Sequence, residues 1–203
     1  GFIFLDDVQL EKQSWQTRNR IIVNKNAHWI SVPVRHANLS QKINQTEIIN
    51  EGSWKNKLAK SFEQNYCKHP YYSSAKSVID FLLAKDESIL SNFNIDIIAF
   101  ITKNIGIRTP MHLASEYNIE ASRTSKIIYL CKCFSSNEYL SPVGSAEYLA
   151  DDDFVGHSEA KLIFQNYVPD IYVQKNSKEF IASLSIIDVI ANIGWDKTAE
   201  YIK

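Results

Sequence analysis

Four apolar residues, Phe2-Ile3-Phe4-Leu5, run straight into two adjacent carboxylates, Asp6 and Asp7. The run reads as a buried strand that ends in acids. In open α/β sheets, ligands sit beyond the carboxyl ends of the strands. Asp6, Asp7 and Gln9, followed by Trp15, Arg18, Asn19 and Arg20, therefore have the layout of a ligand-binding edge.

Two short β-rich runs follow, Arg20–Val23 and His28–Val34, around the polar turn signal Asn24-Lys25-Asn26. They predict a hairpin, and Ile43–Ile49 a further strand. Helical periodicity then takes over. Ser53 is placed to cap a helix from Trp54 to about Tyr66, and Ser73 or Ser74 to open the next. The clearest helix spans Glu87 to Asn104, with Ile89, Phe93, Ile97 and Ile101 at four-residue spacing and Ile98 beside them, and Gly106 as its C-terminal stop. Short strands near Met111–Ala114, Tyr139-Leu140 and Leu162–Phe164 alternate with helices over Ser122–Phe134 and around Tyr148-Leu149. A helix over Ser183–Ile193 ends at Gly194. This alternation predicts an α/β fold: a mainly parallel sheet flanked by helices, with a small β-hairpin insertion near residues 20–50. At 203 residues the expectation is a single domain, 1–203.

Composition narrows the function classes. Twenty-two basic against 23 acidic side chains leave a net charge of -1, without the basic excess of a general nucleic-acid binder. No apolar run approaches the length of a membrane span, and no signal peptide is visible. Three cysteines, an odd and sparse count, fit a reducing cytoplasm rather than a disulfide framework.

Five groups of residues are candidates for chemistry. Asp6 or Asp7 suits a general base or a ligand for an amine or metal, although from position alone a turn is the plainer reading. Arg18 and Arg20 around Asn19, beside Trp15, suit a nucleotide diphosphate or a carboxylate, and equally a solvated loop paired with Asp6 or Asp7. Ser141-Pro142-Val143-Gly144-Ser145 lies between a strand and a helix, where backbone N–H groups can face an anion, although it is no P-loop. Arg123 and Lys126 lie near a helix start, where a bound anion would make sense of them; a solvated helix face is the plainer reading. Asp188 sits within the apolar run Leu184–Val189, and if buried it needs a partner, for which a site arginine would serve. The five histidines are scattered and Cys131-x-Cys133 lacks zinc-site spacing, so no metal site is expected.

Several ordered stretches resemble the WbqC-like family, proteins met in bacterial surface-polysaccharide (O-antigen) gene clusters. They are FLDDVQ at 4–9, SWQTRNRI at 14–21, WISVPV at 29–34, KHPYY at 68–72, YLS at 139–141, Tyr148–Phe154 and LSIID at 184–188. Relatives carry a Gln-Pro-x-Tyr-like strand and turn ahead of FLDDVQ, so the expected domain lacks that N-terminal strand segment. Relatives also show Gly after the Ser of the 141–145 loop, where this chain has Pro142, which removes one N–H. The resemblance implies a cytoplasmic transferase that passes an aminoacyl group, such as glycine, to a nucleotide-linked amino sugar. Asp6 or Asp7 would then be catalytic. Gln9, Trp15, Arg18, Asn19, Arg20, Arg123, Lys126, Ser141, Ser145 and Asp188 would bind substrate. The cofactor stays open: a loose likeness to adenylate-forming enzymes admits ATP and Mg²⁺. The other reading is a non-catalytic sugar-nucleotide or assembly-binding protein. The expected partner is a nucleotide sugar or other small molecule, with no nucleic acid and no stable membrane insertion.

Overall fold

The structure is a computed structural model and describes residues 1–36, 38 and 40–202. The first part of the chain holds β1 (Phe2–Phe4), β2 (Arg18–Val23), β3 (Asn26–Ser31), α1 (Trp54–Tyr66), α2 (Tyr72–Ala84) and α3 (Leu90–Asn104). Then come β4 (Met111–Leu113), α4 (Arg123–Cys133), β5 (Glu138–Pro142), α5 (Ala146–Asp151), α6 (Phe154–His157), β6 (Lys161–Gln165) and α7 (Ile186–Tyr201). The chain divides into two compact units: Gly1–Leu5 with Met111–Val168, and Asp6–Pro110 with Pro169–Lys203.

In the first unit, β1 pairs with β4 and β5 with β6, both in parallel. A parallel pair needs a long crossover; between β5 and β6 it is supplied by α5 and α6, and between β1 and β4 by more than a hundred residues, 6–110. The core gathers Ile127, Cys131, Leu149, Phe154 and Ala160.

In the second unit, β2 and β3 form an antiparallel hairpin in register from Arg18↔Ser31 to Val23↔Asn26. Its loop is only Asn24 and Lys25, with φ of 50° and 68°, the two-residue turn whose twist matches the strands. Hydrogen-bonded and non-hydrogen-bonded pairs alternate along such a ladder. Counted from the Val23–Asn26 pair that closes the loop, Arg20 and Trp29 form a non-hydrogen-bonded pair, whose side chains lie closer. The backbone groups of Arg20 and Ile22 then point away from β3. They are satisfied elsewhere: Ser185 N–H donates to Arg20 O at 2.7 Å and Ile22 N–H donates to the Tyr66 hydroxyl at 2.9 Å. Ile21, Ile22, Phe62, Tyr66, Val78 and Ile190 form one buried cluster; Leu10, Ile48, Leu58, Leu90 and Phe93 form another. Each such large apolar side chain contributes roughly 1.5–3 kcal/mol by burial.

The fold is thus mixed α/β, but the mainly parallel sheet is corrected: among the described residues there are three two-stranded sheets, two parallel and one antiparallel. Alternation along the chain tells which elements succeed one another; it does not tell how many strands share a sheet. The strand expected at Ile43–Ile49 is instead a 3-10 turn over Ile43–Gln45 followed by isolated bridges from Glu47 and Ile48. Thr46 closes that turn, its hydroxyl donating to Lys42 O at 2.8 Å. Helix α3 starts at Leu90 rather than Glu87, because the Glu87 carboxylate accepts from the N–H groups of Ser88 and Ile89, both at 2.8 Å, ahead of the first turn. Ile98 lies off its buried face and is exposed. Ser53 occupies the N-cap position of α1 without a side-chain capping bond, whereas Ser185 caps α7 by accepting from Ile187 N–H. Among the described residues no helix is long and apolar enough to cross a membrane.

Two glycines stop helices in different ways. Gly106, at φ 78°, follows α3 in a Schellman motif: its N–H donates to Lys103 O and that of Ile107 to Thr102 O. A Cβ there would meet nothing within 4 Å. Gly194, at φ 78° and ψ 175°, breaks α7 in a region essentially reserved for glycine. A Cβ there would lie 2.7 Å from the Tyr71 ring. Gly106→Ala is expected to cost about 1 kcal/mol and Gly194→Ala about 3 kcal/mol or more. Urea unfolding of both variants checks this, and equal losses would refute the role given to the Tyr71 contact.

Candidate functional site

The hairpin register builds the most distinctive surface of the second unit. Side chains alternate between strand faces, so Arg18 and Arg20 share one face of β2, and Trp29 joins them as the cross-strand neighbour of Arg20. Trp15, from the preceding loop, lies against Trp29 with ring centroids 5.0 Å apart and planes tilted by 53°. The Arg18 guanidinium sits 4.0 Å from the Trp29 ring centre, and Arg20 lies 5.7 Å from both indoles. Trp15 and Trp29 are nevertheless 58% and 46% exposed. Large aromatic surface held in place by cations but left to solvent suits a ring-shaped ligand bearing negative charge.

The two arginines differ in what they hold. Arg20 donates through Nε and Nη2 to Ser183 O at 3.2 and 2.9 Å and through Nη2 to Ala182 O at 2.7 Å. Arg18 makes no such bond, and its Nε is buried without a hydrogen-bond partner. Asn19 turns its carbonyl to the N–H of Arg20 at 2.8 Å.

Strand β1 stops at Phe4, so Asp6 and Asp7 both lie in the turn beyond it rather than on opposite faces of a strand. Asp6 is buried; its backbone carbonyl accepts from Asn44 N–H at 2.9 Å and its Oδ2 from Asn44 Nδ2 at 3.4 Å. Asp7 is half-buried. Gln9 bridges to Lys42, where residues 8–10 run antiparallel to 41–43.

Asp188 is 0% exposed in the first turn of α7. Its Oδ1 accepts from the Tyr66 hydroxyl at 2.7 Å, and its Oδ2 from Tyr172 at 2.7 Å and from Asn192 Nδ2 at 3.2 Å. The expected arginine partner is therefore corrected to two tyrosines and an asparagine; Arg20, the arginine bonded just ahead of α7, spends its fork on the carbonyls of residues 182 and 183. Burial pushes the Asp188 carboxyl up, against the pull of its three hydrogen bonds. Burial and the neighbouring carboxylate push both tyrosines well above the ordinary phenol range. His69 is buried against Tyr66, ring centroids 4.5 Å apart, with Nδ1 3.1 Å from the Tyr66 carbonyl. A carbonyl only accepts, so this assigns the ring proton to Nδ1. Burial lowers the histidine's proton affinity.

The remaining candidates belong to the first unit. The Ser141 and Ser145 hydroxyls are 2.5 Å apart, and Ser145 donates to Pro142 O at 2.6 Å. The shared proton of that pair then comes from Ser141, and both hydroxyls serve the turn. Arg123 pairs through Nε with Asp152 at 3.1 Å, where Thr124 also donates at 2.8 Å. Lys126 is buried in the first turn of α4. Among the described residues no group of three His, Cys, Asp or Glu side chains is placed to hold a metal ion.

Structure therefore brings Trp15, Arg18 and Arg20 together and adds Trp29. Reading Asn24-Lys25 as a two-residue loop would have found it, since that loop sets residue 29 opposite residue 20. Tyr66, Tyr172 and His69 carried no comparable signal; they read as ordinary core or loop aromatics.

Comparison with known proteins places these features in context. The model of the WbqC-like protein family matches residues 1–200. The uncharacterised protein Rv1507c of Mycobacterium tuberculosis is 25% identical over 207 residues, covering 95% of this chain and 84% of its own length. No solved structure matches.

The buried carboxyl has a consequence for pH. Because its value is raised on folding, the folded protein keeps the Asp188 proton after the unfolded chain has released it. Between the two values the unfolded state binds fewer protons, so stability falls as pH rises. Wild-type stability relative to Asp188→Asn is expected to be greatest below the ordinary carboxylate range and to decline as pH rises through the raised value. Urea unfolding of both proteins across pH measures it, and a difference that grows with pH would contradict the assignment. Tyr66→Phe, which strands the Ile22 N–H, is expected to cost about 1–3 kcal/mol.

Proposed function

The chain belongs to the WbqC-like protein family, and on that premise we propose that it is a transferase of surface-polysaccharide (O-antigen) biosynthesis. It would move an aminoacyl group, such as glycine, onto the amino group of a nucleotide-linked amino sugar. The observation that carries this reading is the exposed Trp15–Trp29 pair flanked by Arg18 and Arg20. Indole faces accept a sugar or base ring, and guanidinium accepts phosphate.

In the reaction, the sugar amine forms an amide bond to the acyl carbon while the bond from that carbon to its activating group breaks. The nitrogen then sheds a proton, for which a carboxylate is the natural acceptor. Asp6 or Asp7, in the turn beyond β1, would fill that role. ATP would be one means of activating the acyl carboxylate, with Mg²⁺ carried on its phosphates.

A non-catalytic sugar-nucleotide binder is the second reading, favoured by the fact that the aromatic surface needs no base to bind. Asp6→Asn and Asp7→Asn, made singly, separate the two: one of them loses turnover in an enzyme, while ligand affinity is retained in either case. Thermal unfolding with UDP- and dTDP-amino sugars is the direct test. A ligand at 100 times its Kd adds about 2.7 kcal/mol. Stabilisation is expected with an amino-sugar nucleotide and should fall with Trp15→Ala. No stabilisation by any of them would overturn the reading.

A further inference from the structure

We propose that Arg18 is the residue of this surface that contacts the ligand's anion, a diphosphate whose attached ring lies on Trp15, and that Arg20 is a positioning residue. This division rests on the reading of the surface as a nucleotide-sugar site, and goes further by assigning the two arginines different work. In the sequence they are equivalent, two residues apart on the same strand face. In the structure they are not.

Arg20 has one nitrogen on Ser183 O and another on both Ser183 O and Ala182 O, and Ser185 N–H returns a bond to its own carbonyl at 2.7 Å. The side chain and backbone of one residue thus clasp β2 to the segment that leads into α7. A guanidinium with Nε and Nη2 spent on carbonyls has lost the paired edge that grips an oxyanion side-on. What it supplies to the surface is location, for itself and for Trp29 across the strand.

Arg18 has the opposite character. Its central carbon stands 4.0 Å from the Trp29 ring centre, so the indole holds the guanidinium in place. Its Nε is buried and bonded to nothing, and no carboxylate pairs with it among the described residues. With Nε closed to water, the donors an approaching anion would meet are the terminal nitrogens, which, unlike those of Arg20, hold no protein carbonyl. Two oxyanion groups in sequence, as in a diphosphate, would let one phosphoryl meet these nitrogens while the moiety beyond reaches the exposed face of Trp15, 5.0 Å from Trp29. The base or sugar ring is recognised by stacking, and the charge by Arg18.

The test is calorimetric titration of the full chain with inorganic pyrophosphate, UDP and uridine, alongside thermal unfolding. Arg18→Gln is expected to weaken pyrophosphate and UDP at least 10-fold, to leave uridine unchanged, and to keep Tm close to wild type. Arg18→Lys should recover part of the pyrophosphate affinity, as a point charge without the fork. Trp15→Ala should weaken UDP more than pyrophosphate. Arg20→Gln should lower Tm. The surface ion-pair residue Arg35, bonded to Glu47 at 3.2 Å, is the control; Arg35→Gln should change neither reading. Pyrophosphate binding as tight in Arg18→Gln as in wild type overturns the assignment. So does loss of that binding in Arg20→Gln at unchanged Tm, or no pyrophosphate binding by the wild type. If pyrophosphate and UDP bind through Arg18 but no amino-sugar nucleotide binds, the assignment stands and the transferase reading falls.

Discussion

One hydroxyl, that of Tyr66, ties together three segments of the larger unit. It accepts from the Ile22 N–H on β2 and donates to Asp188 on α7, while its ring fills the core of α1 and stacks on Phe62 and His69. Each group would be expensive alone: a strand N–H facing away from its ladder, and a carboxyl with no exposure at all. Joined through one phenol, with Tyr172 and Asn192 closing the other oxygen, they are satisfied. Removing any member leaves another without a partner, so the network specifies one arrangement of β2 against α1 and α7 rather than merely adding bonds.

That arrangement decides what the hairpin displays. With the outer edge of β2 held at Arg20 O by Ser185 and at Ile22 N by Tyr66, the inner end of the strand buries Ile21 and Ile22 on its two faces, and its outer end brings Arg18, Arg20 and Trp29 together on the face shared with Ile22. The loop of two left-handed residues sets the pairing, and the buried network anchors it. A shift of one residue in pairing would turn every side chain of the strand over and dissolve the arginine–tryptophan surface. The backbone that carries the site is thus tied to the core behind it, while its aromatic rings are open to solvent.

The smaller unit uses its polar groups differently. Ser141 and Ser145 bond one another, Ser145 donates to the Pro142 carbonyl, and Arg123 and Thr124 share the Asp152 carboxylate. These bonds close turns and helix ends among residues near in sequence or packing. They commit the Arg123 charge to a protein carboxylate.

Much of this was legible in the chain before folding. The helix over 54–66, the body and C-terminal end of the helix that closes at Asn104, and the stops at Gly106 and Gly194 follow from contacts within a few residues, which side-chain size, periodicity and backbone preference express directly. The hairpin was legible as a polar interruption between β-rich runs, and Asp188 as an acid out of place among apolar residues. Their partners were not. Tyr66 and Asp188 are 122 residues apart, Arg20 and Ser183 are 163 apart, and nothing in the local pattern of either end names the other. The same holds for the sheets: succession of strand and helix is local, whereas the pairing of β1 with β4 joins residues more than a hundred positions apart. Local chemistry set where elements begin and end, because a turn or a cap is settled by its own few atoms. Packing alone decided which buried donor meets which acceptor, and so which arginine is clasped to a neighbouring segment and which is not.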